Sequence, residues 1–171
     1  MPLPVAHGLV GASIVAASGR TPAERSFKPL LAGALLANAA DLDFFLAAAF
    51  HSRAWHRAFS HSVAFSLVVC LVFVLSLGRR RAREAVAYGL AYASHGILDY
   101  LTTKEGGGVE LLWPFSSERF AFGWVGLSEL PSRMPAIEVV KSLLLEFALF
   151  APLLALTIGL RKYARKNESE R

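Results

Sequence analysis

Seven side chains able to bind a metal ion or move a proton interrupt an otherwise apolar sequence: His7, Asp41, Asp43, His56, His61, His95 and Asp99. His95 and Asp99 are four apart, so a helix stacks them on one face, where both can reach one ion or two adjacent ions. Asp41 and Asp43 are two apart and diverge by about 200° on an ideal helix. Both can serve one site only if the helix ends or bends there. His56 and His61 are out of helical phase, and a loop has to converge them. Imidazole is the commonest protein ligand for transition metals.

Four imidazoles and three carboxylates exceed one tetrahedral site and suit two ions sharing a bridging group. Paired metals activate water and hold the attacking and leaving oxygens of a phosphoester. The candidate catalytic residues are Asp43, His61 and Arg57, the last as a ligand for a phosphate oxygen. All seven acidic and imidazole side chains are candidate metal ligands. Zinc is the favoured metal, with manganese or magnesium as alternatives.

Each residue has an ordinary role open to it. His7 can be a packed histidine, Asp41 can terminate its helix, Asp99 can cap a loop and His56 can sit at the membrane interface. Jointly these roles are costly, because a charge in a bilayer costs about 2.5 to 3.5 kcal/mol on insertion scales. Three carboxylates near one end of apolar helices need counter-charge, and a divalent ion supplies it. His51 is expected to be solvated. Ser60, Ser62 and Ser94 each neighbour a histidine, but no G-x-S-x-G elbow is present. No Lys-Ser/Thr follows Gly106-Gly107-Gly108, so these glycines form a hinge rather than a phosphate loop.

The elements that must position these groups are helical. Hydrophobic residues make up 54% of the 171 and charged residues 18%, below the roughly 25% charged of a soluble domain. The mean hydropathy of +0.45 points to a membrane. The net charge of +5 does not imply nucleic acid, since the basic residues cluster at the ends of apolar runs with no aromatic-interleaved basic face. Cys70, the single cysteine, excludes an intramolecular disulfide and a CxxC site and reads as a packing residue. The first 18 residues carry no basic leader ahead of their apolar part, so no cleaved signal peptide is expected.

The pattern predicts an all-α, up-and-down bundle of about five helices in one membrane domain, residues 1–160. Helices are expected over Leu3–Ser18, Pro29–Phe50, His61 or Ser62–Leu77, Glu84–Leu101 and Ala136–Leu160. A polar loop covers His51–Ser60, a long outer loop covers 102–135, and a basic tail covers 161–171. The first and third helices are short for spans. With alternating crossings, twelve Lys and Arg fall on one side and five on the other. The positive-inside rule then makes the chain a multi-pass inner-membrane protein with its N-terminus and long loop on the non-cytoplasmic side. All seven polar groups map to that end, although the charge count made no use of them.

The sequence also resembles the YdjM-like family of predicted membrane-bound metal-dependent hydrolases. The matching elements are His7, Asp41-Leu42-Asp43, His56-Arg57-Ala58-Phe59-Ser60-His61-Ser62, Ser94-His95-Gly96-Ile97-Leu98-Asp99, Thr102-Thr103 and Leu112-Trp113-Pro114-Phe115. Where the family commonly has proline before its Asp-x-Asp element, Ala40 stands here. A more remote similarity, through His95 and Asp99, is to the zinc-dependent phospholipase C group. That group's Trp ligand at a mature N-terminus and its later His-x-x-x-Glu pair have no counterpart.

The resemblance implies a metal-dependent hydrolase acting on a small-molecule or lipid phosphoester, with membrane lipids as partners. Trp113 and Phe115 are expected to roof the site and grip the substrate. The alternative is a non-enzymatic membrane protein, a metal-ion transporter or assembly factor, using the same cluster. A transport path needs polar groups towards both faces, and this cluster is one-sided. Oligomeric state is not encoded in any pattern found.

Overall fold

The computed structural model describes residues 3–18, 27–103, 107–123 and 135–170. Its helices start where the chemistry allows them to. Proline lies in the first turn of α1 (Pro4–Ala17) and of α2 (Lys28–Leu36), where a missing N–H costs nothing. Ser62 caps α4 (Val63–Leu77) by accepting the Phe65 amide at 3.1 Å. That helix stops at Gly78, whose φ of 72° suits glycine. Two further helices, α5 (Ala82–Thr102) and α6 (Ala136–Ser169), complete the bundle with α3 (Asp43–Ala49).

The second expected helix is broken rather than continuous. α2 ends at Leu36, a 3-10 turn covers Ala39–Leu42, and α3 leaves at 52° to α2. In an unbroken α-helix the Ala37 carbonyl would accept the Asp41 amide. Here it accepts the Nδ1–H of His95 at 2.6 Å, and the Asn38 amide group donates to the carbonyls of Ala34 and Pro4. Side-chain donors thus compete with the ladder and bend the helix. A second bend of 54° separates Arg53–His61 from α4.

The packing follows up-and-down order. α1 lies against α2, α5 and α6, and α5 against α1, α2 and α4. α1 crosses α2 so closely that a Cβ on Gly11 would sit 2.4 Å from the Gly33 carbonyl oxygen. α1 and α6 run parallel: Glu146 meets the amides of Leu3 and Ala6 at one end, while Arg161 donates to the Ala16 carbonyl at the other.

The core is small and polar, and the large apolar side chains face outwards. Ala6, Ala16, Ala85 and Ala91 are buried beside His7, His95 and Asp99. Leu67, Val68, Leu71 and Leu75 of α4 and Leu144, Phe147 and Leu156 of α6 are exposed. That inverts the order of a water-soluble protein and suits a lipid solvent. Among the described residues one helix, α6, is long and apolar enough to cross a membrane, or up to three spans if each bent pair counts as one.

One boundary differs from expectation by more than a helical turn. α6 runs on to Ser169 instead of stopping at Leu160, because 161–169 contain helix formers and neither glycine nor proline. Of the long outer loop, 107–123 is described; it is non-helical, with one antiparallel bridge between Val109 and Phe120. Residues 104–106 and 124–134 of that loop, and the polar turn at 19–26, lie outside the described residues.

Candidate metal centre

Four pieces of chain deliver the seven side chains to one place. α1 brings His7, and α5 brings His95 and Asp99 one turn apart. The bend between α2 and α3 brings Asp41 and Asp43, and the 3-10 turns before α4 bring His56 and His61. The donor atoms form three overlapping groups, His7/His95/Asp99, Asp41/His61/His95 and Asp41/Asp43/His56, each within 4.8 Å. The bend solves the Asp41/Asp43 phase problem, since Asp41 sits in the 3-10 turn and Asp43 opens α3. Gly96 admits His61, for a Cβ there would lie 2.3 Å from the His61 carbonyl oxygen.

At the centre the Nε2 atoms of His7, His61 and His95 face Asp41 and Asp99. Asp41 Oδ1 is 3.3 Å from His95 Nε2 and 3.7 Å from His61 Nε2. Asp99 Oδ2 is 3.6 Å from His61 Nε2 and 3.9 Å from His95 Nε2, while Asp99 Oδ1 is 3.4 Å from His7 Nε2. The His7 ring also stacks on His95 with centroids 3.9 Å apart.

None of these six atoms has a hydrogen-bond partner, and all are buried. Leaving such groups unsatisfied costs about 1 to 3 kcal/mol each. The separations exceed hydrogen-bond lengths, but they are what a shared cation produces. In a tetrahedron with bonds of about 2.1 Å the ligand atoms stand about 3.4 Å apart. The donor set, imidazole nitrogen with carboxylate oxygen, also fits a divalent metal.

The outward nitrogens of His56, His61 and His95 are held by the protein, whereas His7 Nδ1 has no hydrogen-bond partner. His95 Nδ1 donates to Ala37, which leaves Nε2 as the lone-pair atom. His61 Nδ1 lies 3.0 Å from Ser60 Oγ and 3.3 Å from Asp43 Oδ2. His56 Nδ1 is 2.8 Å from Asp43 Oδ1, and its ring stacks on Phe44. Asp43 Oδ2 further accepts the Arg57 amide at 2.9 Å and the Ser60 hydroxyl at 2.6 Å.

Arg57 is buried with its Nε 3.7 Å from Asp99 Oδ2, and its backbone has φ of 60°. That left-handed conformation is uncommon outside glycine and concentrates at functional sites. The three serines beside histidines make no Ser-His-Asp relay: Ser60 donates to Asp43, Ser62 to Phe59 O and Ser94 to Ala91 O.

Other residues that sequence reasoning passed over shape the site. Tyr92 donates to the Ser60 carbonyl at 2.8 Å and fixes the turn that carries His61. The Arg119 guanidinium reaches the carbonyls of Ala54 and His56 and the Glu110 carboxylate, tying the outer loop over the histidine turn. Glu146 of α6 closes the N-terminus of α1, which carries His7, by accepting the Leu3 and Ala6 amides. A lone carboxylate in an apolar run was the available signal. Lys141 pairs with Glu138 on the exposed face. Trp113 packs on Phe59, but Phe115 is 91% exposed and covers nothing among the described residues.

A helical membrane bundle with a buried His/Asp centre at one end is the class of protein these observations define. The chain belongs to the YdjM inner membrane protein family, whose model matches residues 1–167. It is 37% identical over 110 residues to the inner membrane protein YbcI of Escherichia coli (strain K12). That match covers 60% of this chain and 62% of the relative, so the chain spans about three fifths of that protein's length. No solved structure matches the chain. The likeness to zinc-dependent phospholipase C gains no support from these comparisons.

Proposed function

We propose that the protein is a multi-pass, metal-dependent phosphoester hydrolase of the inner membrane. The observation that carries this reading is the set of buried, unpartnered donor atoms in the overlapping groups His7/His95/Asp99 and Asp41/His61/His95, each spaced to hold a cation. Asp41, His61, His95 and Asp99 would hold one divalent ion, for which zinc best suits the donors and spacing. His7 and the second oxygen of Asp99 are the donors available to another. When bound, such an ion polarises a phosphoryl oxygen and lowers the pKa of water.

The chain's own groups do the rest. Asp43 holds the Nδ1 atoms of His56 and His61, so that both rings keep a fixed orientation. The Arg57 guanidinium, rigid on its strained backbone beside Asp99, offers a planar pair of donors to a phosphate oxygen. The outer loop, clamped by Arg119, keeps water access narrow on that side.

The arginine clusters at 79–83 and beyond Leu160 put the opposite end of the bundle in the cytoplasm. The centre therefore faces the periplasm at headgroup depth, where a lipid phosphoester is presented. The cluster stays at one end, and that favours hydrolysis over transport.

Hydrolysis of bis(p-nitrophenyl) phosphate and of phospholipid vesicles by metal-loaded protein tests the reading. Turnover that disappears in His61→Ala and Asp99→Ala supports it. Metal binding without turnover on either substrate class contradicts it.

A further inference from the structure

The end of the α1–α5 pair remote from the His/Asp centre holds a separate feature. An open groove of about 530 Å3 runs between the two helices, walled by Ile14 and Ala17 of α1 and Val86 and Leu90 of α5. Val86 and Leu90 are 41% and 54% exposed, so the trough stands open along its length. The charged residue lining it is Arg83.

Among the described residues the charge around this mouth is mostly positive. Arg79, Arg80 and Arg83 are exposed, and among the described residues none has a carboxylate partner. Arg81 differs: Glu84 takes both its Nε and Nη2 at 2.9 and 2.7 Å, and Tyr88 donates to the same carboxylate. Arg161 of α6 reaches the Ala16 carbonyl, one residue from the groove wall, and adds a further cation at this rim. α1, with 14 residues, is about 21 Å long, against about 30 Å of hydrocarbon, so it ends short beside the longer α5.

We infer that this groove is a binding site for an anionic phospholipid, with an acyl chain in the Ile14/Ala17/Val86/Leu90 trough and the phosphate on Arg83. A guanidinium meets a phosphate through two parallel hydrogen bonds. The phosphate of a zwitterionic lipid is already neutralised by its own ammonium, whereas that of an anionic lipid keeps a net negative charge for Arg83. Arg83 and Asp99 are sixteen residues apart on one helix, about 24 Å. The bound lipid is thus a ligand of the arginine end and not a substrate, and this inference stands whether or not the other end is an enzyme.

Native mass spectrometry of the full chain in detergent, titrated with palmitoyl-oleoyl phosphatidylglycerol or phosphatidylcholine, tests it. The wild type should retain the glycerol lipid with about five-fold higher affinity, the effect of one basic contact near a membrane surface. Arg83→Gln should bring the two lipids to parity. Ala17→Phe, an exposed position that fills the trough, should weaken both. Arg53→Gln, at the opposite end, should leave the preference intact. Equal retention of the two lipids by the wild type overturns the proposal. So does a preference that survives Arg83→Gln or falls equally in Arg53→Gln.

Discussion

Asp43 and Asp99 are both buried, and both approach His61. Yet they occupy opposite electrostatic states. Asp43 has three hydrogen-bond partners, the His56 ring, the Arg57 amide and the Ser60 hydroxyl, and stands 3.3 Å from the His61 ring. Neither Asp99 oxygen has a hydrogen bond, although three imidazoles and a guanidinium stand 3.4–3.9 Å away. A buried carboxylate satisfied by protein donors is part of the scaffold, since its desolvation is already offset. One left without hydrogen bonds among facing imidazole nitrogens is open to a metal ion. The contrast separates the residues that shape the site from those that would ligate.

That contrast can be broken by substitution, and the largest effect belongs to Asp99. Asp99→Ala should lower metal affinity by more than about a hundredfold, beyond the 10- to 100-fold typical of groups that only orient ligands. Competition with a chromophoric chelator measures it.

Asp43→Asn should fall within that 10- to 100-fold range, because His56 and His61 lose their shared acceptor but the facing nitrogens remain. A loss as deep as that of Asp99→Ala would make Asp43 a ligand and erase the distinction. Glu146→Gln sharpens the comparison from outside the centre. It should reduce thermal stability in detergent by about 1 to 3 kcal/mol, as one acceptor of the α1 cap is replaced. Metal affinity should change less than in Asp43→Asn.

Much of this was legible in the sequence, and the reasons are local. Apolar runs ending in arginine clusters marked the bundle, and the i, i+4 spacing of His95 and Asp99 marked a shared face. The need for a break near Asp41 and Asp43 followed from helical phase alone. Its cause did not, because the bond from His95 to Ala37 joins residues 58 apart. With Ala40 where the family commonly has proline, the bend here goes with the His95 bond and the Asn38 bonds instead. The different fates of Asp43 and Asp99 were equally hidden. Both are aspartates in apolar surroundings, and only the turn around Ser60 decides which one finds donors. Phe115 was expected at the site and instead faces outwards, since the Trp113 contact with Phe59 anchors the loop without it.

The central claim is that the unpartnered atoms at the bundle's end are cation ligands, and elemental analysis of the purified protein tests it most directly. The wild type, washed after loading with zinc or manganese, should retain stoichiometric divalent metal. His61→Ala and Asp99→Ala, folded by thermal melting, should retain almost none. A wild type that emerges metal-free, or variants that hold as much metal as it does, would contradict the account.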